Sequence, residues 1–320
     1  MWTMAWWCSI IVAVRNKMTL RYGADIARIT TQLHAVARPL DMAVWRSWCG
    51  SAPWQDVLSQ LVHYQNADGG FGHGIEPDVW HPASSPLATT VALQYVHTAG
   101  IPSHHPVVHR ALVYLARTYD AVAGKWHPMV AGVNDYPHAP WWHADATTGR
   151  NALDDDWPNP TVEIIGYLGA YDGADVNMPA QYDALVACIA DAQTIESHAL
   201  ACYVRAYAWL PSAVQTTIYP HIVRLLQATI HPDPAAWLTA YVPTPLDYVH
   251  SPASPFYAAL AEFVEIQLAQ WVAHVQAHHV WTPTWAWGQY DDAWRTAHAW
   301  WTGKMTVERI LILARFGRIV

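Results

Sequence analysis

Charge is the scarcest ingredient of this sequence. Asp, Glu, Lys and Arg make up 13% of its 320 residues, about half the usual share of a soluble domain. Apolar residues reach 53%, so a large core can form and long disordered tails are not expected. Basic residues are scarcer than acidic ones, 17 against 25, for a net charge of −8. They are scattered singly and form no stripe, which argues against nucleic acid as a partner. Cysteine is scarce as well. Cys8, Cys49, Cys188 and Cys202 form no CxxC pair, and the expectation is reduced, partly buried thiols in a cytoplasmic protein. The first stretch, MWTMAWWCSIIVAV, is apolar but short of the roughly 20 residues of a membrane helix, and it lacks the basic start of a signal peptide. Met18 opens an ordinary amphipathic segment. Residues 1–17 are therefore expected to be a loosely attached extension, and residues 18–320 a single domain with no membrane span.

Several chemical signatures are missing too. The chain has no glycine-rich phosphate loop, no GxSxG elbow, no HExxH and no Cys/His nucleophile arrangement, which disfavours ATP use and serine-hydrolase chemistry. Nineteen histidines occur, yet no three of them read as convergent ligands. No cofactor is expected, and no ligand motif supports a divalent metal.

What is abundant is the amphipathic aromatic: 20 Trp and 16 Tyr against 4 Phe. Trp and Tyr join an apolar body to a polar tip, so they either line a wet surface or cavity or fill a Trp-rich core. Helical periodicity dominates the rest. Val108, Ala111, Leu112 and Leu115 follow the i, i+3, i+4, i+7 pattern. So do Leu200, Tyr203, Val204 and Tyr207, while Phe256, Leu260, Phe263 and Val264 make another stripe, and Val307, Ile310, Leu311 and Ala314 the last. The fold class read from this is all-α. Three helix starts share a cap residue followed by Pro: Ser85-Pro86, Asn159-Pro160 and Ser254-Pro255. Ser or Asn satisfies free amides at a helix start, and Pro loses nothing there. Acidic and aromatic residues precede each: Glu76, Asp78 and Trp80; Asp154, Asp155, Asp156 and Trp157; Asp247, Tyr248 and His250. If the three helices are equivalent elements of one barrel, these carboxylates gather at one mouth.

The run QNADGGFG, Gln65 to Gly72, resembles the QxxDGGW/F-G repeat of squalene cyclases, oxidosqualene cyclases and protein prenyltransferase β-subunits. Fainter copies are AVAGKWHP from Ala121 and QAHHVWTP from Gln276. Asp68-Gly69-Gly70 suits a tight reversal. Gln65 can bond to backbone around it, with Phe71 packed beneath. From about residue 35 onward the chain is also similar to a group of bacterial proteins related to that superfamily, through NADGGFGHGIEPD, NDYPHAPWWH, the Asn-Pro helix start and the tail from WAWGQYDDAW. The resemblance implies one α/α toroid of inner and outer helices. It does not carry over the family's chemistry intact. Leu153 precedes Asp154-Asp155-Asp156, so DxDD is absent, the spacing of DDxxD is not met, and no Asp-x-Cys precedes a matching His.

Candidate site residues come from two loops. HGIEPDVWHP holds His73, Glu76, Asp78 and His81 within nine residues, and NDYPHAPWWHAD holds Asp135 and His138 beside Trp141 and Trp142. Glu76, Asp78, Asp135 and His138 are the expected acid–base groups, converging on one pocket with Trp141 or Trp142 in its wall. His73, Trp80, Trp141, Trp142, Asp155, Asp247 and Trp287 are the expected substrate contacts. The leading expectation is a terpenoid-cyclase-like enzyme (an isomerase or lyase) acting on an apolar or isoprenoid-like substrate. Trp faces also stack on sugars, so a carbohydrate-active α/α-barrel lyase or hydrolase, with paired carboxylates, stands beside it. A non-catalytic peptide- or glycan-binding module is the third reading.

Overall fold

A computed structural model of the chain describes residues 18–171 and 176–320. The expected N-terminal extension, residues 1–17, lies outside them. Among the described residues the chain is all-helical, with eleven α-helices and isolated β-bridges in place of strands. The helices are α1 (Ala24–Val36), α2 (Pro39–Trp48), α3 (Trp54–Leu61), α4 (Pro86–Ala99), α5 (Pro106–Arg117), α6 (Pro158–Ala170), α7 (Met178–Asp191), α8 (Ser197–Tyr207), α9 (Ser212–Thr229), α10 (Tyr257–His278) and α11 (Asp291–Arg315). The described residues fall into two compact units. The first comprises the described residues of Met1–Trp48 with Ile230–Ala286 and His298–Val320. The second comprises Cys49–Thr229 and Trp287–Ala297.

In the first unit α1 buries Ile26, Ile29 and Leu33, one face of a helical period. Arg38 and Asp41 form a buried ion pair at 2.9 Å. Gly303 of α11 sits where a Cβ would lie 2.5 Å from the Ala37 backbone, so any larger residue would force the two segments apart. Leu20 bridges Ile319 in parallel through three backbone bonds of Leu20, Tyr22 and Val320. The stripe on α10 is buried at Leu260 and Val264, but Phe263 stays 38% exposed and meets Trp237 edge-on.

In the second unit α6 packs along α8, close enough that a Cβ on Gly166 would lie 3.0 Å from the Ala206 methyl. Ser85 caps α4 as its sequence suggests: its hydroxyl accepts the Ala88 amide and Pro86 takes the first helical position. The other two starts differ in detail. Asn159 has extended backbone inside the first turn of α6, which begins at Pro158. Ser254 accepts the Phe256 amide in a turn just before α10. The first two starts belong to the second unit and the third to the first.

One buried carboxylate ties three helices of the second unit together. Glu163 of α6 is 2% exposed and accepts from Gln94 on α4 at 2.9 Å, from the Tyr167 hydroxyl at 2.8 Å and from Arg205 on α8 at 2.7 Å. Three helices thus depend on one saturated anion. Removing a single partner from such a buried pair leaves an uncompensated charge and costs about 3–5 kcal/mol, whereas replacing both partners by apolar groups is often close to neutral. Arg205→Ala should therefore lower unfolding stability by about that amount in urea titrations, and the double variant Glu163→Leu/Arg205→Met should lose less. Equal losses would show that Arg205 contributes through packing alone.

Candidate functional site

The DGG turn closes as its residue types require. Gly69 has φ +95°, and a Cβ there would lie 2.5 Å from the Arg110 carbonyl oxygen. Asp68 accepts the Gly70 amide at 3.0 Å, Gln65 donates to the Gly69 and Val107 carbonyls at 2.9 Å each, and Phe71 is buried. Gly72 presses on the Pro82 and Ala83 carbonyls, where a Cβ would come within 2.4 Å of both oxygens. His73 follows with positive φ, its Nε2 2.8 Å from Asn66 Oδ1, and its amide donates to the His81 carbonyl. The turn therefore sets the loop of residues 73–82 as a closed hairpin-like excursion.

Three loops distant in sequence then meet. Val79 bridges His138 antiparallel, with Ala139 N–H donating to the Asp78 carbonyl at 2.8 Å and Trp80 N–H to Pro137 at 2.9 Å. From the third loop the Trp287 indole donates to Asp78 Oδ1 at 2.8 Å and the Gln289 amide to the His138 carbonyl at 2.8 Å. Trp287 lies edge-on to Trp80 and tilted against Trp294. Val79, Val133, Ala139, Trp142, Trp287 and Ala297 form the buried base, and Trp80, Trp141 and Trp294 lie half-buried over it.

The expected site residues distribute over this platform by role. Asp78 and His138 are buried and hydrogen-bonded. His138 Nδ1 donates to the Tyr136 carbonyl at 2.6 Å, which leaves Nε2 in the neutral ring to accept from His143 Nδ1 at 3.1 Å. Trp142 belongs to the buried base. Glu76 is half-buried, and Asp135 is exposed, with its charge acting on His81. Burial lowers the His81 pKa, opposed by the Ala83 amide and by Asp135. Asp155 is exposed in the turn Ala152–Asp155, whose Leu153 packs against the platform. Asp247 belongs to the first unit, where its carboxylate accepts the Thr244 amide at 2.7 Å.

Two clusters escaped the sequence reading. His127 sits between carboxylates, Nδ1 2.9 Å from Asp154 and Nε2 3.0 Å from Asp120. The Ala123 amide, His127 and the Val122 amide together hold Asp120 down to about 2. His127 and Asp154 edge a cavity of about 120 Å³ with Arg150, Asn151, Met129 and Val133, room for a few waters or one small polar group rather than the several hundred Å³ of a typical ligand pocket. The second cluster is Asp156 with Glu196 and His198. Burial, reinforced by Glu196, pushes Asp156 up to about 6, and its Oδ2 has no hydrogen-bond partner among the described residues. Glu196 caps α8. Burial pushes it up, but His198, Ser197 and the Ala199 amide outweigh this and bring it to about 2. Only spacing across separate elements makes these clusters, so no local motif announces them.

Among the described residues no group of three or more His, Cys, Asp or Glu is arranged to hold a metal ion, and no helix is long and apolar enough to cross a membrane. No family model matches the chain, and neither a curated protein nor a solved structure is similar enough to count as a match.

The split between Asp156 and Glu196 has a sign that can be measured. A carboxyl raised to about 6 penalises the fold above that pH, and the penalty fades as pH falls through 6 toward the unfolded value. Glu196 does the reverse: its contribution is present above the ordinary Glu value and is lost as pH falls toward 2. Asp156→Asn should therefore stabilise the protein at about pH 8, by about 1 kcal/mol once solvent screening of this half-exposed group is counted, and the gain should vanish near about pH 4. Thermal melts across that range check it. A gain that does not change with pH would refute the assignment.

Proposed function

We propose that the loop platform of the second unit is the substrate face of a terpenoid-cyclase-like α/α-toroid enzyme, acting on an apolar, isoprenoid-like substrate. One observation carries this reading: three loops separated by long stretches of sequence converge on the Asp78–Trp287 bond and leave Trp80, Trp141 and Trp294 half-buried over a common apolar base. Half-buried indoles offer both apolar area and ring faces that attract developing positive charge. The Trp80 indole is itself held by its N–H on the Pro77 carbonyl at 3.0 Å, so it meets a ligand already oriented. Asp78 and His138 serve as positioning groups, because their hydrogen bonds are spent inside the platform. Glu76 is the half-buried carboxyl of the same loop, and in this reading its proton passes to an alkene carbon of the substrate, leaving a cation against the indoles.

A carbohydrate-active reading has separate support in Asp156 and Glu196, two carboxyls whose surroundings push their pKa values apart, to about 6 and about 2, as an acid and its anionic partner require.

Quenching of Trp fluorescence by farnesol and by cellohexaose separates these readings. Farnesol should bind, and Trp80→Ala or Trp294→Ala should weaken it about tenfold, while Glu76→Gln should keep binding and lose turnover. Saturable binding of the oligosaccharide instead, lost in Asp156→Asn, would favour the second reading. Farnesol binding with no turnover under any condition would reduce the platform to a binding module, and binding indifferent to both Trp variants would sink the platform itself.

A further inference from the structure

The first unit holds its own cluster of charged and aromatic side chains. Cζ of Arg309, on α11, lies 4.9 Å from the ring centroid of Trp271 on α10 and 5.5 Å from that of Trp281 in the following loop. The two indoles are 5.8 Å apart and tilted by 59°. They are 2% and 1% exposed, and the Trp281 amide is fixed to Thr306 Oγ1 at 3.1 Å. His274 stacks on Trp281 at 5.6 Å and donates through Nε2 to the Val280 carbonyl. Neither indole N–H has a hydrogen-bond partner among the described residues. A buried N–H without an acceptor costs free energy, and native structures rarely leave one so. Here the two rings that carry these donors both have their centroids within 5.5 Å of one guanidinium carbon.

The carboxylates nearest in charge to Arg309 are committed elsewhere. Asp247 Oδ2 accepts the Thr244 amide at 2.7 Å, and Glu308 pairs with Lys304. Burial pulls Arg309 down to about 10, with Asp247 and Glu308 opposing, so it stays cationic at neutral pH. The two indole faces hold the guanidinium carbon between them, and the fork of N–H groups suits a planar or tetrahedral acceptor. Water satisfies an indole N–H as well as a ligand does, but it adds no charge to that of Asp247 and Glu308, which are bonded elsewhere. An oxyanion with two or more oxygens answers both demands. We infer that Arg309, Trp271 and Trp281 form a binding site for a small oxyanion, a carboxylate or a phosphate.

The test uses the full chain and indole proton–nitrogen NMR spectra, with the Trp271 and Trp281 signals assigned by Trp271→Phe and Trp281→Phe. Inorganic phosphate or acetate, added against sodium chloride at matched ionic strength, should shift these two signals saturably. A response to phosphate alone identifies a phosphate-type site, and a response to acetate alone a carboxylate site. Trp281→Phe keeps a stacked ring but removes one donor, and Arg309→Lys keeps the charge but removes the fork. Each should weaken binding about tenfold or more, the loss expected for one hydrogen bond to a charged group. Circular dichroism confirms that both variants fold, and Arg309→Met, if folded, should abolish the response. No shift beyond that of chloride, or unchanged affinity in both Trp281→Phe and Arg309→Lys, would overturn the site and leave water as the partner of the indoles.

Discussion

The hydrogen bond from the Trp287 indole to the Asp78 carboxylate joins residues 209 positions apart at 2.8 Å, and the loop platform of the second unit depends on it. Asp78 is 4% exposed. A carboxylate so placed is tolerated only when donors reach it. Its side chain serves the third loop while its backbone carbonyl accepts the Ala139 amide of the second. One residue therefore holds two loops against its own, and the half-buried Trp80, Trp141 and Trp294 take their positions from that tie.

With charge so scarce, a few buried or partly buried polar groups tie separate elements together. Arg38–Asp41 pins the link between α1 and α2, Glu163 binds α4, α6 and α8 together, and His127 spans Asp120 and Asp154. These groups are saturated, and their cost is offset locally by hydrogen bonds. Asp156 and Arg309 are the contrast. Both are shifted by burial in the direction that disfavours their charge, and uncompensated groups of this kind concentrate where proteins bind or react.

Local chemistry was legible in advance. The Ser85-Pro86 cap, the DGG reversal with its Gln65 and Phe71 contacts, and most apolar stripes follow from residues within a few positions of each other. The two candidate loops were also legible, because titratable groups stand out in a chain so poor in charge, and Val79 does pair with His138. The roles within them were not. Asp78 and His138 are hydrogen-bonded inside the platform, Trp142 is buried in its base, and Asp135 remains exposed. Whether a carboxylate faces solvent or an indole depends on a partner more than a hundred residues away.

The division between sequence and tertiary structure follows from the range of the forces involved. Helical period, capping and turn conformation depend on backbone geometry over three to five residues, so the sequence by itself determined the all-helical class, the start of α4 at Ser85-Pro86 and the reversal at Asp68-Gly69-Gly70. Burial, pairing and protonation depend on what packs alongside. Only the tertiary structure decided that Asp120 and Asp154 share His127, that Asp156 and Glu196 are shifted in opposite directions, and that Arg309 lies over Trp271 and Trp281. No spacing along the chain encodes those contacts, because the energy of an ion or an indole is set by its surroundings in space.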